Sequence, residues 1–342
     1  YKKIFSYYFD KNFEKDYYTK LQNFKDIKSK ELYVNFLSLT FKSVSKYIKF
    51  DAFISFNLFY YAEKYFEEVC KNLNLKFIIL HKESVFTPME ETTALKIYRE
   101  NNDKSLAHKV SVYSENQKKI LIKSGIVSKE KIFINGNPRC DYSFRLRKIK
   151  PKNKIIIYYL IESYRNKNVF INNKKNNWNK LYNQTLSYVL EFAKQNPSYK
   201  VILKGKTGIH KKSHFDSQKL PNNCSFIEGG LGQRLLKDAS VVIAFNSTIV
   251  FEAILGNRNL VIPNFNNENF FRKKILNKIK DKKYFANNKK QFTEKINFYL
   301  KSKYKKNKKL SQNDHDTLKY YIGNVDGKSG IKVQKFINKI YN

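Results

Sequence analysis

The sequence is poor in several residue types, and each shortage narrows what the protein can be. Among 342 residues there are 3 cysteines, Cys70, Cys140 and Cys224, without a CxxC or a Cys/His pair at metal-ligand spacing. Neither a disulfide framework nor a zinc site is indicated. No apolar run reaches the roughly 18 residues of a membrane span, and the first residues do not resemble a signal peptide. We therefore expect a cytoplasmic location.

Two phosphate-binding motifs are missing as well. The chain contains neither GxGxxG nor GxxxxGK[ST], which argues against a dinucleotide oxidoreductase and a P-loop ATPase. An Asp-x-Asp metal motif is not evident at a strand end. The nearest candidate, "DHD" at Asp314 to Asp316, falls within the polar stretch 301–316, which we predict to be a solvated loop. We expect no metal and no cofactor.

Acidic residues are scarce relative to basic ones. The chain has 67 Lys and Arg against 29 Asp and Glu, a formal net charge of +38. Such a field concentrates phosphates, anionic glycans, nucleic acids or anionic lipid head groups. No nucleic-acid motif is recognisable, and the basic residues are scattered along the chain. An anionic membrane surface is therefore a better candidate partner than a specific nucleic acid.

Short apolar segments alternate with amphipathic ones in two series, a pattern typical of βαβ units with parallel sheets. We predict that residues 1–50 are mostly helical after a first strand at 3–9. The first clear series has strands at "DAFISF", "KFIIL", "KVSVY" and "KIFIN". The second has strands at "IIIYYL", "YKVILK", "CSFIE", "SVVIAF" and "LVIP", and a last helix at 331–341.

The two series are separated by the basic, proline-containing run "RLRKIKPKNK" at 145–154, which indicates an interdomain linker. We predict an α/β protein with two Rossmann-like domains, at 1–150 and 151–326, followed by a C-terminal helix at 327–342. A cleft between the carboxyl edges of two such sheets is the expected place for a ligand.

A strand-to-helix transition lies within "AFNSTIVFEAILGNRNLVIP", Ala244 to Pro263. Asn246, Ser247 and Thr248 stand between a buried strand and a predicted helix, Ile249 to Leu255, that Gly256 closes. One interpretation is that Asn246 or Ser247 caps the helix. The other is that the hydroxyls and free helix N–H groups also bind a phosphate.

This stretch, with "FINGNPRCDYSF" (133–144) and "YIGNVDGKSG" (321–330), resembles the bacterial surface carbohydrate biosynthesis proteins, from about Asp51 onward. These are GT-B-fold, glycosyltransferase-like enzymes, related to CDP-glycerol glycerophosphotransferases and sugar-nucleotide 2-epimerases. The resemblance implies that the second domain binds the nucleotide donor and the first the acceptor. It also implies that Ser247 and Thr248 contact a nucleotide diphosphate, with Asn246 beside them, and that Glu252 binds the ribose.

Further candidates follow other strands. Lys204 and Lys206 in "LKGKTGIHKK" could neutralise a diphosphate, although this segment departs from the Lys-Pro-His-Pro-like sequence of the family, which leaves the role of His210 open. Glu83, or else His81, in "LHKESVF" could act as the base that activates an acceptor. Arg139 and Asp141 are expected to pair with each other.

The leading hypothesis is an inverting, metal-independent glycosyltransferase. It would transfer a sugar from a nucleotide-activated donor, linked to CMP, CDP or UDP, to a glycan or lipid-linked acceptor in capsule or lipopolysaccharide synthesis. Two enzyme alternatives are a CDP-alcohol phosphotransferase of the teichoic-acid type and a sugar-nucleotide 2-epimerase. The basic charge keeps a nucleic-acid-binding protein as an alternative from another class.

Overall fold

The computed structural model describes residues 4, 7–9, 27–58, 61–82, 85–101, 104–161, 178–210, 212–216, 219–265, 273–279, 284–304 and 309–341. These residues form two compact units, one ending at Gly136 and the other beginning at Asn137. Each unit contains one parallel sheet with helices. The predicted α/β class with two parallel-sheet units is therefore confirmed. No helix within the described ranges is long and apolar enough to span a membrane.

The first unit has a four-stranded parallel sheet in the order β1-β2-β3-β4. Its strands are β1 (Ala52–Ser55), β2 (Lys76–Leu80), β3 (Lys109–Val112) and β4 (Ile132–Ile134). Its helices are α1 (Ile27–Ser45), α2 (Tyr61–Asn72), α3 (Pro88–Asn101) and α4 (Glu115–Ser124). Local signals define both ends of α4. Ser114 caps it by accepting from the Gln117 N–H, and Gly125 ends it with φ 76°.

The predicted strand at 3–9 is not found among the described residues of that range, 4 and 7–9. Tyr7 and Tyr8 are helical, and Phe9 is buried in a cluster with Tyr33 and Tyr65. The Phe9 and Tyr65 rings stack with their centroids 5.8 Å apart. Packing of aromatic side chains on α1 and α2, rather than strand pairing, therefore determines the local structure here.

The second unit has a six-stranded parallel sheet in the order β10-β9-β8-β5-β6-β7. Its strands are β5 (Ile155–Tyr159), β6 (Lys200–Lys204), β7 (Cys224–Ile227), β8 (Val241–Ile243), β9 (Asn259–Pro263) and β10 (Phe285–Ala286). Its helices are α5 (Pro138–Arg145), α6 (Asn179–Gln195), α7 (Lys212–Asp216), α8 (Gly232–Leu235), α9 (Ile249–Leu255), α10 (Lys273–Leu276), α11 (Lys289–Lys301), α12 (Gln312–Ile322) and α13 (Ser329–Tyr341).

The division between the units falls earlier than the predicted boundary at 150. Helix α5 packs against α9 and α13, so it belongs to the second unit. The basic run 145–154, predicted as a linker, forms the end of α5, a short 3-10 helix and the turn into β5. Leu146 and Arg147 within it are buried. The C-terminal helix belongs to the same unit.

The stretch 301–316, predicted as a solvated loop, contains the start of a helix. Ser311 caps α12 by accepting from the Asp314 N–H at 3.2 Å, and the Asp314 side chain is buried. The inner face of α12 carries the buried apolar side chains Leu318, Tyr321 and Ile322. The polar composition concealed this helix because only its later turns carry apolar residues. Residues 305–308 lie outside the described ranges.

Candidate functional site

Four strands of the second sheet end side by side at its carboxyl edge. Tyr158 pairs with Ile243, Tyr159 pairs with Lys204, and Lys204 pairs with Ile227, so β8, β5, β6 and β7 end together. If the six strands of this sheet are numbered 1 to 6 in chain order, with β5 as 1, they lie side by side in the order 3-2-1-4-5-6 from β7 to β10. The direction of the strand order reverses between β5 and β8. Open α/β sheets bind ligands at the carboxyl edge beside such a reversal.

The loop after β8 presents unpaired backbone donors at this reversal. The backbone of Asn246 is in the left-handed helical region, with φ 48°, and that of Thr248 is in the right-handed helical region, with φ −63°. Within the described part of the chain, the N–H groups of Ser247 and Thr248 make no hydrogen bond. Successive N–H groups in such a turn form a concavity suited to an anion. Ser247 and Thr248 are both half-buried.

The N-cap of α9 is Thr248, whose side chain makes no capping bond to any described residue, so neither Asn246 nor Ser247 occupies the cap position as the sequence suggested. Ser247, one residue earlier, still accepts from the Ile249 N–H through its hydroxyl at 3.4 Å. The predicted bounds of α9, Ile249–Leu255, and its end at Gly256 are confirmed. The N–H groups of Phe251 and Glu252 already donate to the Thr248 carbonyl oxygen. The unpaired donors therefore lie in the loop, and not in the helix as the sequence suggested.

The Glu252 carboxylate is buried on the first turn of α9 and is only 2% exposed. Its Oε1 lies 3.2 Å from Nε of Arg139, whose side chain is half-exposed. With its amide oriented to satisfy both polar atoms, Gln233 donates to Glu252 Oε2 and to the Arg139 carbonyl oxygen, each at 3.2 Å. Helices α5, α8 and α9 therefore each contribute one side chain to this cluster.

Burial raises the pKa of Glu252 from 4.5 to about 7, while the nearby Arg139 guanidinium and Ser143 hydroxyl lower it. The desolvation cost of the carboxylate outweighs the attraction of a cation that is itself half in water. Glu252 is consequently balanced between its charged and neutral forms near neutral pH. A carboxyl group whose pKa is raised in this way, next to a loop with unpaired N–H donors, is typical of functional sites.

The predicted pairing of Arg139 with Asp141 is wrong, because Asp141 has other partners. It accepts from the N–H groups of Ser329 at 3.0 Å and Gly330 at 2.7 Å, and from the Asn324 amide. These bonds hold the start of α13 against α5. The motifs at 133–144 and 321–330, on which the family resemblance is based, therefore contact each other through the buried Asp141.

Lys204 and Lys206 differ in their access to solvent. Lys204 is buried, and its Nζ donates to the Gly205 carbonyl oxygen at 2.5 Å. Burial also lowers its pKa. Lys206 is exposed, and its N–H donates to Nδ1 of His210 at 3.2 Å, while Nε2 of that ring lies 2.7 Å from the Ile161 carbonyl oxygen. His210 therefore supports the loop, and Lys206 is the more accessible cation.

The turn between β6 and His210 requires glycine at its first position. A Cβ on Gly205 would lie 2.7 Å from the Phe226 ring and 2.9 Å from the His210 Cβ. We expect Gly205→Ala to lower the free energy of unfolding by about 1–3 kcal/mol, because a packed ring and a backbone-linked carbon must both shift. Urea titration measures this loss.

A second substitution tests the steric cause of that loss. Phe226→Leu removes the ring that the new Cβ would meet, at the cost of its own packing. The double variant Gly205→Ala/Phe226→Leu should therefore lose less stability than the two single variants added together, because neighbouring residues are not additive. Strict additivity would show that the ring does not exclude a side chain at position 205.

Of the two predicted catalytic bases, Glu83 lies outside the described residues. His81 follows β2 in the first unit and is 2% exposed. Burial lowers the pKa of its imidazole to about 3, which makes it a weak proton acceptor at neutral pH. A catalytic role for either residue stays a prediction.

Sequence reasoning missed the partners of Glu252. Gln233 lies in "GQRLL" after β7, and Arg139 lies in the first turn of α5. Neither position carried a signal beyond its place after a predicted strand. The contacts arise from packing of α5 and α8 on α9.

Comparison of the sequence with known protein families and with curated proteins finds no match. Among solved structures, HepE from Anabaena in complex with UDP aligns over 90% of this chain and 82% of its own, with 12% identity and a TM-score of 0.46. A UDP-forming trehalose-phosphate synthase from Burkholderia xenovorans aligns over 93% and 80%, with 9% identity and a TM-score of 0.43. The wall teichoic acid polymerase TagF aligns over 78% and 68%, with 14% identity and a TM-score of 0.44. These likenesses are distant, so they assign no activity to this chain.

Proposed function

We propose that the protein is a glycosyltransferase that uses a nucleotide-activated sugar and acts in the synthesis of a cell-surface glycan. The observation that carries the proposal is the pair of N–H groups at Ser247 and Thr248, unpaired within the described chain and placed at the strand-order reversal of the second sheet. Donors in that place suit the diphosphate of a nucleotide. We further propose that transfer inverts the anomeric configuration and needs no metal.

In this proposal the half-buried hydroxyls of Ser247 and Thr248 contact the diphosphate together with the loop N–H groups. Asn246 supports them, because its left-handed backbone gives the loop its shape. Lys206 is exposed and can approach the phosphates, whereas Lys204 is enclosed and orders the turn. A cation at the leaving diphosphate stabilises the charge that develops during transfer.

Glu252 would accept hydrogen bonds from the ribose hydroxyls. Its carboxylate is occupied by Arg139 and Gln233, so binding requires one of them to give way. The Arg139 side chain is 51% exposed and can turn toward solvent without leaving a buried, unpaired cation. Ribose hydroxyls would then replace it on Oε1. Arg139 is thus the group whose position we expect to change when a nucleotide binds.

In this proposal the first unit binds the acceptor. Glu83 remains the proposed base and His81 the second choice. A glycan or lipid-linked acceptor is the proposed partner, and the net charge of +38 favours its recruitment at an anionic membrane surface.

The nucleotide is tested by measuring thermal unfolding with CMP, CDP, UDP, GDP, their sugars and CDP-glycerol, since a ligand of the native state raises its apparent stability. We expect one nucleoside diphosphate to raise the melting temperature more than the others. A response to CDP-glycerol alone would favour the phosphotransferase, and turnover of one nucleotide sugar without acceptor would favour the epimerase. Absence of any response would contradict the proposal.

The loop is tested by replacing both hydroxyl residues. In Ser247→Ala/Thr248→Ala we expect the affinity for the selected nucleotide to fall at least about tenfold, because even one hydrogen bond to a charged group is worth roughly 1.5–3 kcal/mol. Calorimetry measures the dissociation constant. Ser198→Ala, at an exposed serine before β6 on the other edge of the sheet, is the control and should bind normally. Unchanged affinity in the double variant would show that neither hydroxyl contacts the nucleotide and would leave only the backbone N–H groups as donors.

A further inference from the structure

A separate cavity, of about 590 Å³, lies at the opposite, amino edge of the same sheet. It is bounded by the residues leading into β9, by the end of α11 and by the start of α12. Its cations are Arg147, Arg258, Lys303 and Lys309, and Asp314 is the one carboxylate among its lining residues. Aromatic side chains complete the wall. The cavity is therefore basic, partly aromatic and distinct from the loop after β8.

Arg258 has an unused donor in this wall. It is 4% exposed, its Nε donates to the Leu236 carbonyl oxygen at 2.6 Å, and its Nη1 donates to the Gly256 carbonyl oxygen at 3.3 Å. Its guanidinium lies over the Tyr304 ring at 5.8 Å. Nη2 is enclosed and makes no hydrogen bond to any described residue. Such a group costs free energy unless it meets an acceptor.

Asp314 has an unused acceptor in the same wall. Its side chain is 3% exposed, and Oδ1 is enclosed without a hydrogen-bond partner among the described residues. It is close enough to Tyr284 that its charge adds to burial in raising the pKa of that phenol. A buried carboxylate oxygen needs a donor as much as a buried guanidinium needs an acceptor.

Among the described residues, Nη2 of Arg258 lacks a hydrogen-bond acceptor and Oδ1 of Asp314 lacks a donor, and together these two requirements restrict the kind of ligand that fits. Inorganic phosphate would match the cations, but the only hydroxyls that it can donate lie on the charged group itself, so donating to Asp314 would bring two negative charges together. A neutral sugar would satisfy Asp314 but leave the surplus of positive charge unmatched. A molecule that carries both an anionic group and hydroxyls satisfies both, and its ring can pack against tyrosine side chains.

We propose that this cavity binds a hydroxyl-bearing anion of the sugar-phosphate or sugar-acid class. Arg258 and the exposed Lys303 and Lys309 attract the phosphate or carboxylate, while Asp314 accepts hydrogen bonds from the sugar hydroxyls. The site does not depend on the proposed activity, because it shares no residue with the loop after β8.

The test compares four probes by calorimetry at one ionic strength: glucose-6-phosphate, glucuronate, glucose and inorganic phosphate. We expect glucose-6-phosphate or glucuronate to bind at least about tenfold more tightly than either glucose or phosphate, because only they match both the cations and Asp314. Equal binding of inorganic phosphate, or no binding of either sugar anion, would overturn the proposal.

Two variants locate the binding. Asp314→Asn and Lys303→Ala/Lys309→Ala should each weaken the binding of the sugar anion about tenfold, whereas Lys335→Ala, at an exposed lysine on α13, should not. If Asp314→Asn fails to fold, the double lysine variant tests the site by itself, because Lys303 and Lys309 are both exposed and their replacement should not disturb the fold. Wild-type affinity in the lysine variant would place the binding elsewhere and reject the cavity.

Discussion

Replacing Asp141 with asparagine is expected to lower the free energy of unfolding of the second unit by about 3 kcal/mol. The buried carboxylate accepts from the N–H groups of Ser329 and Gly330 and from the Asn324 amide. An amide of the same shape loses the charge and turns one acceptor into a donor that faces other donors. Charged hydrogen bonds of this kind are each worth roughly 1.5–3 kcal/mol, and they do not add fully.

Urea unfolding followed by fluorescence measures this loss, because the one tryptophan of the chain, Trp178, is buried in the second unit. Asp326→Asn is the matched control in the same motif. Asp326 pairs with Lys332 at 2.7 Å on the surface, and its loss should cost less than about 1 kcal/mol. Similar losses in the two variants would mean that Asp141 does not hold α13 in place.

The second large effect is a pH dependence that disappears in Glu252→Gln. Burial raises the folded-state pKa of Glu252 to about 7, above its ordinary value of 4.5, so the fold favours the protonated form. As the pH rises through this window, the unfolded state releases its proton first and stability falls, then stays level above pH 7. At about 1.36 kcal/mol per pKa unit, the whole loss amounts to about 3 kcal/mol.

The measurement compares the unfolding free energies of wild type and Glu252→Gln at pH 5 and pH 8, again through Trp178. The difference between the two proteins should change by about 2–3 kcal/mol between these pH values, which span most of the window. Groups common to both proteins, such as His81, cancel. Glu294→Gln, which removes an exposed carboxylate from α11, should retain the pH dependence. A constant difference for Glu252→Gln would show that the pKa of its carboxyl group is not displaced.

The same variant separates stability from ligand binding. If Glu252 accepts from a ribose, Glu252→Gln should bind the nucleotide about tenfold more weakly at pH 8, where the wild-type carboxylate is charged. At pH 5 the wild-type carboxyl is neutral, and the two proteins should differ less. Equal affinities at both pH values would leave Glu252 as a structural group only.

Local patterns predicted most of the strands and helices, because each series repeats a short apolar strand and an amphipathic helix. The helix Glu115–Ser124 is indicated by its serine cap and closing glycine, and Ile249–Leu255 by its flanking polar residues and Gly256. The helix Gln312–Ile322 was missed, since its first turn is polar. The boundary between the units was misplaced, because the basic, proline-containing run 145–154 has the composition of a linker although part of it is buried in the second unit.

The sequence by itself determined the α/β class, the two parallel-sheet series and the position of Ser247, Thr248 and Glu252 after a strand. These depend on periodicity and on residues close together in the chain. Tertiary structure alone decided that Arg139 and Gln233 meet Glu252, that Asp141 holds the start of α13, and that Arg258 and Asp314 share a cavity. Those contacts join residues far apart in sequence, and they form because helices pack on a sheet whose strand order no local pattern specifies.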